Sequence, residues 1–188
     1  MNVDYDAIVL GAGIAGSSAA AILAARGWNT LLLDRNSFPR HKVCGEFLSP
    51  ESRMTLQEMG LWKTVEALAP ERIEQARICL AESRILDIPL PGAAYGISRY
   101  TLDYTLHQVA EQAGVHIITN ALVTNVVQNE QAYIIETRQQ KKRQTYRAKV
   151  VIAAWGAYHR TNESRSESRT PRGRGSTGHW CPCAGTTR

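Results

Sequence analysis

Gly11, Gly13 and Gly16 fall at the G-x-G-x-x-G spacing inside YDAIVLGAGIAGSSAAAILAARGWNTLLLDR, the segment from Tyr5 to Arg35. That spacing suits a ligand carrying phosphates, for a different reason at each position. Gly11 permits a tight turn out of a strand, Gly13 leaves the backbone bare for the approach of a diphosphate, and Gly16 lets the next helix lie close to a sheet. A helix beginning at Ile14 and Ala15 aims its first-turn N–H groups and positive dipole end at such phosphates. Asp34 ends the following apolar run, where a carboxylate can accept hydrogen bonds from both hydroxyls of a ribose. A lone glycine triplet is common in loops. Here a strand precedes it, a helix follows it and an acid closes the second strand, so the segment reads as a dinucleotide site. The triplet by itself leaves NAD and FAD both open.

Two further groups invite chemistry. Cys44 has Arg40, His41 and Lys42 as close neighbours in sequence, and cations lower a thiol pKa when they lie near it. A redox role for Cys44 competes with an inert cysteine, and His41 as an acid or base is a weaker candidate. Cys181-x-Cys183 with His179 supplies too few ligands for zinc and has no second pair, so no metal is expected.

The elements that must position these residues are legible in outline. Ala7 to Leu10 and Thr30 to Leu33 read as buried parallel strands flanking a helix from Ile14. Pro50 follows Ser49 as the first residue of a short helix that Gly60 stops, and a second short helix runs from Leu61 to Leu68. Ile73 to Ala81 and Arg84 to Leu90 form a strand pair around a turn, with Pro89 and Pro91 closing the second strand. Thr101 caps an amphipathic helix in which Leu102, Leu106, Val109 and Ala113 share a face, and Gly114 ends it. Val115 to Thr119 resembles another parallel strand. Ala121 to Gln128, Tyr133 to Arg138 and Arg143 to Ala148 alternate as an antiparallel meander, and Lys149 to Ala154 returns as a buried strand. The sum is an α/β fold: a doubly wound sheet with insertions.

The chain has 188 residues and a formal net charge of +5. Residues 158–188 hold six Arg against Glu163 and Glu167, so the basicity belongs to the tail and gives no support to a nucleic-acid role. From Ala157 to Arg188 there is no Leu, Ile, Val, Phe or Met. Such a stretch cannot bury enough apolar surface to offset its ordering entropy, and residues 158–188 are expected to be disordered. No apolar run approaches a membrane span, no secretory signal opens the chain, and isolated cysteines make no disulfide framework. A cytoplasmic location is the expectation.

Four motifs in order resemble the FAD-dependent oxidoreductases of the geranylgeranyl-reductase and aromatic-hydroxylase superfamily, whose FAD domain is glutathione-reductase-like. They are the glycine turn with Asp34-Arg35, FPRHKVCGEFLSP from Phe38 to Pro50, GISRYTLDYTLHQVAEQAGV from Gly96 to Val115, and AKVVIAAWGAYHR from Ala148 to Arg160. Family members end the last of these on an Asp-Gly pair. This chain has Trp155 before Gly156, so the role of that acid is not carried over. The resemblance implies a Rossmann-like FAD/NAD(P)-binding sheet with an antiparallel meander inserted, occupying residues 1–157. It also implies that Gly11, Gly13, Ile14, Ala15 and Gly16 face the FAD diphosphate, with Asp34 at the adenosine ribose and Arg35 on the adenine side. Arg99, expected on a strand just before the helix, would reach the phosphates or flavin linker, and Val123 would present its backbone to adenine. Cys44, Gly45 and Glu46 would lie near the isoalloxazine, with Cys44 as the catalytic candidate.

The same resemblance implies an oxidoreductase of the reductase-like branch acting on a small organic substrate, a prenyl-type alkene among the candidates. NAD(P)H is the candidate reductant, and a prenyl lipid would entail transient membrane contact. A monooxygenase or halogenase is the first alternative, and a non-catalytic nucleotide-binding fragment the second. Family members are about twice this length. The abrupt change within the fourth motif points to a frameshift or truncation near Ala157.

Overall fold

The computed structural model describes residues 3–79 and 85–156. The expected tail and the Cys181, Cys183 and His179 group lie outside these residues, as does the turn expected between Ala81 and Arg84. The first unit is β1 (Tyr5–Leu10), α1 (Ile14–Ala25) and β2 (Thr30–Leu33), with the two strands parallel and Ala7 opposite Thr30. Ile8, Leu10, Leu31 and Leu33 join one buried cluster, and Val9 and Leu32 another. Successive side chains thus serve opposite faces, and both faces are dry. This explains unbroken apolar runs in place of alternation. Each fully buried Leu here contributes roughly 1.5–3 kcal/mol.

Four more elements form a smaller layer: β3 (Phe47–Leu48), α2 (Pro50–Glu58), α3 (Trp62–Glu66) and β4 (Glu71–Cys79). β5 (Ile85–Gly96) lies between β3 and β4 in an antiparallel three-stranded sheet. Then come α4 (Arg99–Gln112), β6 (His116–Ile118), β7 (Leu122–Gln128), β8 (Tyr133–Gln139) and β9 (Lys142–Ala153). The large sheet has the order β6-β2-β1-β9-β8-β7. Its β6, β2, β1 and β9 are parallel, while β7, β8 and β9 form the antiparallel meander. Ala20 and Ala21 of α1 and Ala110 of α4 meet on one face, where small side chains let the two helices pack closely. The doubly wound α/β fold with its inserted meander is present.

Three local expectations are corrected. β5 does not close at Pro89 and Pro91 but runs through both to Gly96. Its register against β4 shifts between Ile73 and Gln75, so the residues between Pro89 and Ala94 sit in an irregular stretch of the ladder. A bulge tolerates a residue with no N–H to donate. The strands expected at Arg143 to Ala148 and Lys149 to Ala154 are one strand, β9. Ala148 faces both Tyr133 of β8 and Tyr5 of β1, and no Gly, Pro or Asn stands at the junction to break the strand. Finally, Ser98 caps α4 in place of Thr101, its Oγ accepting from the Thr101 N–H at 3.2 Å. Arg99 therefore lies in the helix's first turn and not on a strand. A start at residue 99 also gives Arg99 its i,i+4 partner, Asp103.

Candidate functional site

The C-terminal ends of β1, β2 and β9 converge on a cavity of about 210 Å³. Gly11, Gly13, Asp34, Arg35 and Val123 line it, joined by Leu10, Leu33, Asn36, Arg40, Lys42, Ala121, Ala154 and Trp155. Gly11 adopts φ +106°, and a Cβ there would lie 2.7 Å from the Ala154 carbonyl oxygen. A Cβ on Gly16 would lie 1.7 Å from the Gly11 carbonyl oxygen, so α1 could not approach the turn with any larger residue. Gly13 is different. A Cβ there would meet only Arg99 Nη2 at 3.9 Å and Arg40 Nη2 at 4.0 Å. Its bare face opens toward two guanidiniums, a cradle suited to a diphosphate.

Gly13 is also the N-cap of α1 and lends no side chain to the first-turn amides. Ile14 and Ala15 occupy that first turn but do not line the cavity. Gly45 has open space around it, and neither it nor Cys44 lines the cavity.

Asp34, only 6% exposed, is more heavily engaged than the sequence suggests. Ala12 N–H donates to Oδ2 at 2.8 Å, and Asn36 donates to Oδ1 from its backbone at 2.8 Å and its side-chain amide at 3.1 Å. Arg40 Nη2 stands 3.6 Å from Oδ2. Three hydrogen bonds thus fill three of the four lone-pair positions of the carboxylate, and Arg40 ion-pairs on the side of the fourth, the one left for a ribose hydroxyl. Arg40 is the loosest of these partners. Its guanidinium lies over the Phe38 ring at 4.9 Å, and its Nε is buried without a hydrogen-bond partner among the described residues. A buried, unpaired guanidinium nitrogen beside a bare glycine fits an anionic ligand.

Arg99 is held differently. Its Nε and Nη2 donate to Asp103 Oδ1 and Oδ2 at 2.7 and 2.9 Å, and Asp103 is fully buried. Burial works against the charge on Arg99, but the hydrogen bonds and charge of Asp103 outweigh it and raise its pKa. Glu46 steadies the same corner: its backbone oxygen accepts from Ile97 N–H and its carboxylate from Arg99 N–H. Cys44 sits against this corner, exposed, with its thiol pKa lowered. The Glu46 backbone N–H is the main cause, and the Arg99 guanidinium adds a hydrogen bond and its charge. Arg40, His41 and Lys42, the cations expected to act on Cys44, are not the cause. Arg40 and Lys42 turn into the cavity, and the His41 ring packs on Tyr100.

Arg40, Lys42, Asn36, Trp155 and Asp103 were not legible as site residues from motif spacing. Asp103 had one usable signal, its i,i+4 relation to Arg99. Arg40 and Lys42 lie in an irregular segment whose path no periodicity reveals. Among the described residues, no group of three His, Cys, Asp or Glu side chains is placed to hold a metal.

What these residues build is a dinucleotide-binding domain of the doubly wound class, with its ligand cavity beyond the carboxyl ends of the strands. Comparison with known proteins narrows the class. Residues 4–182 match the family model described as FAD binding domain, and the chain belongs to that family. Menaquinone reductase of Mycolicibacterium smegmatis is 31% identical over 132 residues, covering 67% of this chain and 31% of that protein. Digeranylgeranylglycerophospholipid reductase 1 of Methanothermobacter thermautotrophicus is 28% identical over 167 residues, covering 83% of this chain and 40% of that protein. The myxobacterial chondrochloren halogenase, described as a new variant of FAD-dependent halogenases, has a similar structure. Its TM-score is 0.74 at 25% identity, over 84% of this chain and 38% of that one. Reductases and an FAD-dependent halogenase are thus among the chain's neighbours, and it spans 31% to 40% of the length of these two curated relatives.

Proposed function

We propose that this chain is the adenosine-and-diphosphate-gripping part of an FAD-dependent oxidoreductase of the reductase-like branch. The observation that carries the reading is the Gly13 cradle, with Arg40 and Arg99 facing a backbone that has no side chain in the way. Gly11, Gly13 and the first turn of α1 at Ile14, Ala15 and Gly16 would hold the diphosphate with Arg40. Asp34 would take the ribose once Arg40 moves toward phosphate. Arg35 and Val123 would flank the adenine. Bound FAD supplies two-electron redox chemistry. At about 210 Å³ the cavity suits the adenosine end of such a ligand and gives no wall for the flavin end.

Cys44, Gly45, Glu46 and Arg99 form the corner that would face the reacting end, with Cys44 as the catalytic candidate. The names of the two reductase relatives favour the reductase branch; within that reading we take a prenyl-type alkene as the substrate class, NAD(P)H as the reductant and transient membrane contact as its consequence. Among the described residues no helix is long and apolar enough to cross a membrane. We assign the activity to the cytoplasm, and residues 1–157 to the FAD-binding domain. The structural likeness to a halogenase supports a second reading, in which the same domain serves an oxygen-dependent enzyme.

The test is a calorimetric FAD titration of the 188-residue chain beside Gly13→Ala. Gly13 has extended backbone angles that alanine accepts and only ordinary contacts around its Cβ position, so the variant should fold. Loss of charge-assisted contacts predicts about 10- to 100-fold weaker FAD binding. Equal affinity would remove the cradle from the argument. Bound FAD that NAD(P)H fails to bleach under nitrogen would leave the non-catalytic nucleotide-binding fragment as the better reading.

A further inference from the structure

The cavity has two unlike walls. Asp34, Arg35, Asn36, Arg40 and Lys42 form the polar one, and Leu10, Leu33, Ala121, Val123 and Trp155 form the apolar one. The apolar wall is the rim of the core on one face of the sheet. Leu10, Leu33 and Ala121 are buried in that core, and Val123 and Trp155 pack onto it half-buried. Trp155 follows the end of β9, directly beside the β1 turn, since Leu10 pairs with Ala153. Lys42 Nζ stands 3.4 Å from the position a Cβ on Gly156 would take, so a cation stands beside the residue that follows Trp155. A ligand matching both walls has a flat apolar end and an anionic end, as adenosine diphosphate does.

We propose that Trp155 is the stacking wall of this pocket, laying its indole against the adenine of the bound nucleotide. The inference rests on the chain taking an adenine dinucleotide, and it adds a residue that the family resemblance does not supply. Base–aromatic stacking tolerates any base because every base offers a π-face. The indole would therefore add affinity for the adenosine end without a carboxylate near the diphosphate.

The experiment titrates the full chain with ADP and, separately, inorganic pyrophosphate, following tryptophan fluorescence and heat. ADP replaces FAD here because a flavin drains tryptophan excitation over a distance, whereas quenching by adenine needs contact. Trp155→Phe keeps an aromatic wall and removes the reporter, Trp155→Ala removes the wall, and Trp155→Asp adds a carboxylate. Far-UV circular dichroism checks that each variant folds.

ADP should quench a component that is absent in Trp155→Phe, and pyrophosphate should leave it unchanged. Trp155→Phe should keep ADP affinity within about twofold, and Trp155→Ala should weaken it about tenfold. ADP binding whose quench persists in Trp155→Phe would overturn the proposal while leaving the nucleotide site intact. So would tighter ADP binding by Trp155→Ala or Trp155→Asp, which would show the indole to be a plug. A folded chain that binds neither ADP nor FAD would sink the nucleotide reading together with this inference.

Discussion

Gly13 and Gly16 stand one helical turn apart yet answer to different forces. A methyl group on Gly16 would collide with the backbone of Gly11, whereas one on Gly13 would touch only the ends of two arginines. Gly16→Ala should therefore lower stability by several kcal/mol, on the order of an overpacked core site or more, and reduce soluble yield. Chemical denaturation of both variants separates the pair: one loses the fold and the other only the ligand. Cys44 gives a second residue-scale expectation. Its thiolate is favoured by the Glu46 backbone N–H and by Arg99. Its alkylation by iodoacetamide, resolved from Cys79 by peptide mass spectrometry, should reach half-maximal rate below the pH of an ordinary thiol. Arg99→Gln should move that midpoint upward, and an unchanged midpoint would detach Arg99 from the cysteine.

α4 carries predictions of a different kind. Ser98→Ala removes its cap and should cost about 1 kcal/mol, read as a lower urea midpoint with unchanged slope. His107, on the same helix, stacks on Phe38 with ring centroids 4.7 Å apart. Burial lowers its pKa below the ordinary 6.5, against the opposing charges of Glu111 and Asp34. The unfolded chain then binds the proton more tightly than the folded one. Stability is whole above about pH 6.5 and declines as pH falls below it. Urea midpoints measured across that range should show a decline that His107→Phe reduces. At this scale the sequence is readable where one local signal decides the outcome. The β1-α1-β2 unit shows itself through apolar runs, a glycine turn and an acid. It is unreadable where the outcome depends on distant partners. Nothing local in Arg143 to Ala154 says that one strand will pair antiparallel with β8 and then parallel with β1. Nothing local shows that Arg40 and Lys42 leave Cys44 and enter a cavity. Ser98 and Thr101 are both good cap residues, so local propensity does not choose between them, and the buried Arg99–Asp103 pair goes with the start at Ser98 rather than the expected Thr101.

Across the whole molecule, apolar surface is unevenly covered. On one face of the β4–β5 ribbon, Ile78, Leu86 and Ile88 are 43%, 50% and 40% exposed, with Ala76 opposite Ile88 and Ile78 opposite Leu86. The other face holds the Arg77–Asp87 ion pair at 2.7 Å. A contiguous exposed patch of this kind promotes association. Replacing Ile78, Leu86 and Ile88 by Thr should lower binding of a hydrophobic dye and raise the concentration at which light scattering begins. The continuity of β9 has a consequence during synthesis. β1 is flanked on one side by β2, which is made almost at once. Its other neighbour is β9, and the Asp6–Lys149 contact beside them joins residues 143 positions apart. At ribosomal speeds of about 5–20 residues per second, roughly 7–30 s separate the emergence of the two strands. Throughout that interval the nascent chain displays an unpaired apolar strand edge. Holdase chaperones that bind extended hydrophobic segments should therefore recognise it while it is still tethered, and release it once Ala153 clears the exit tunnel.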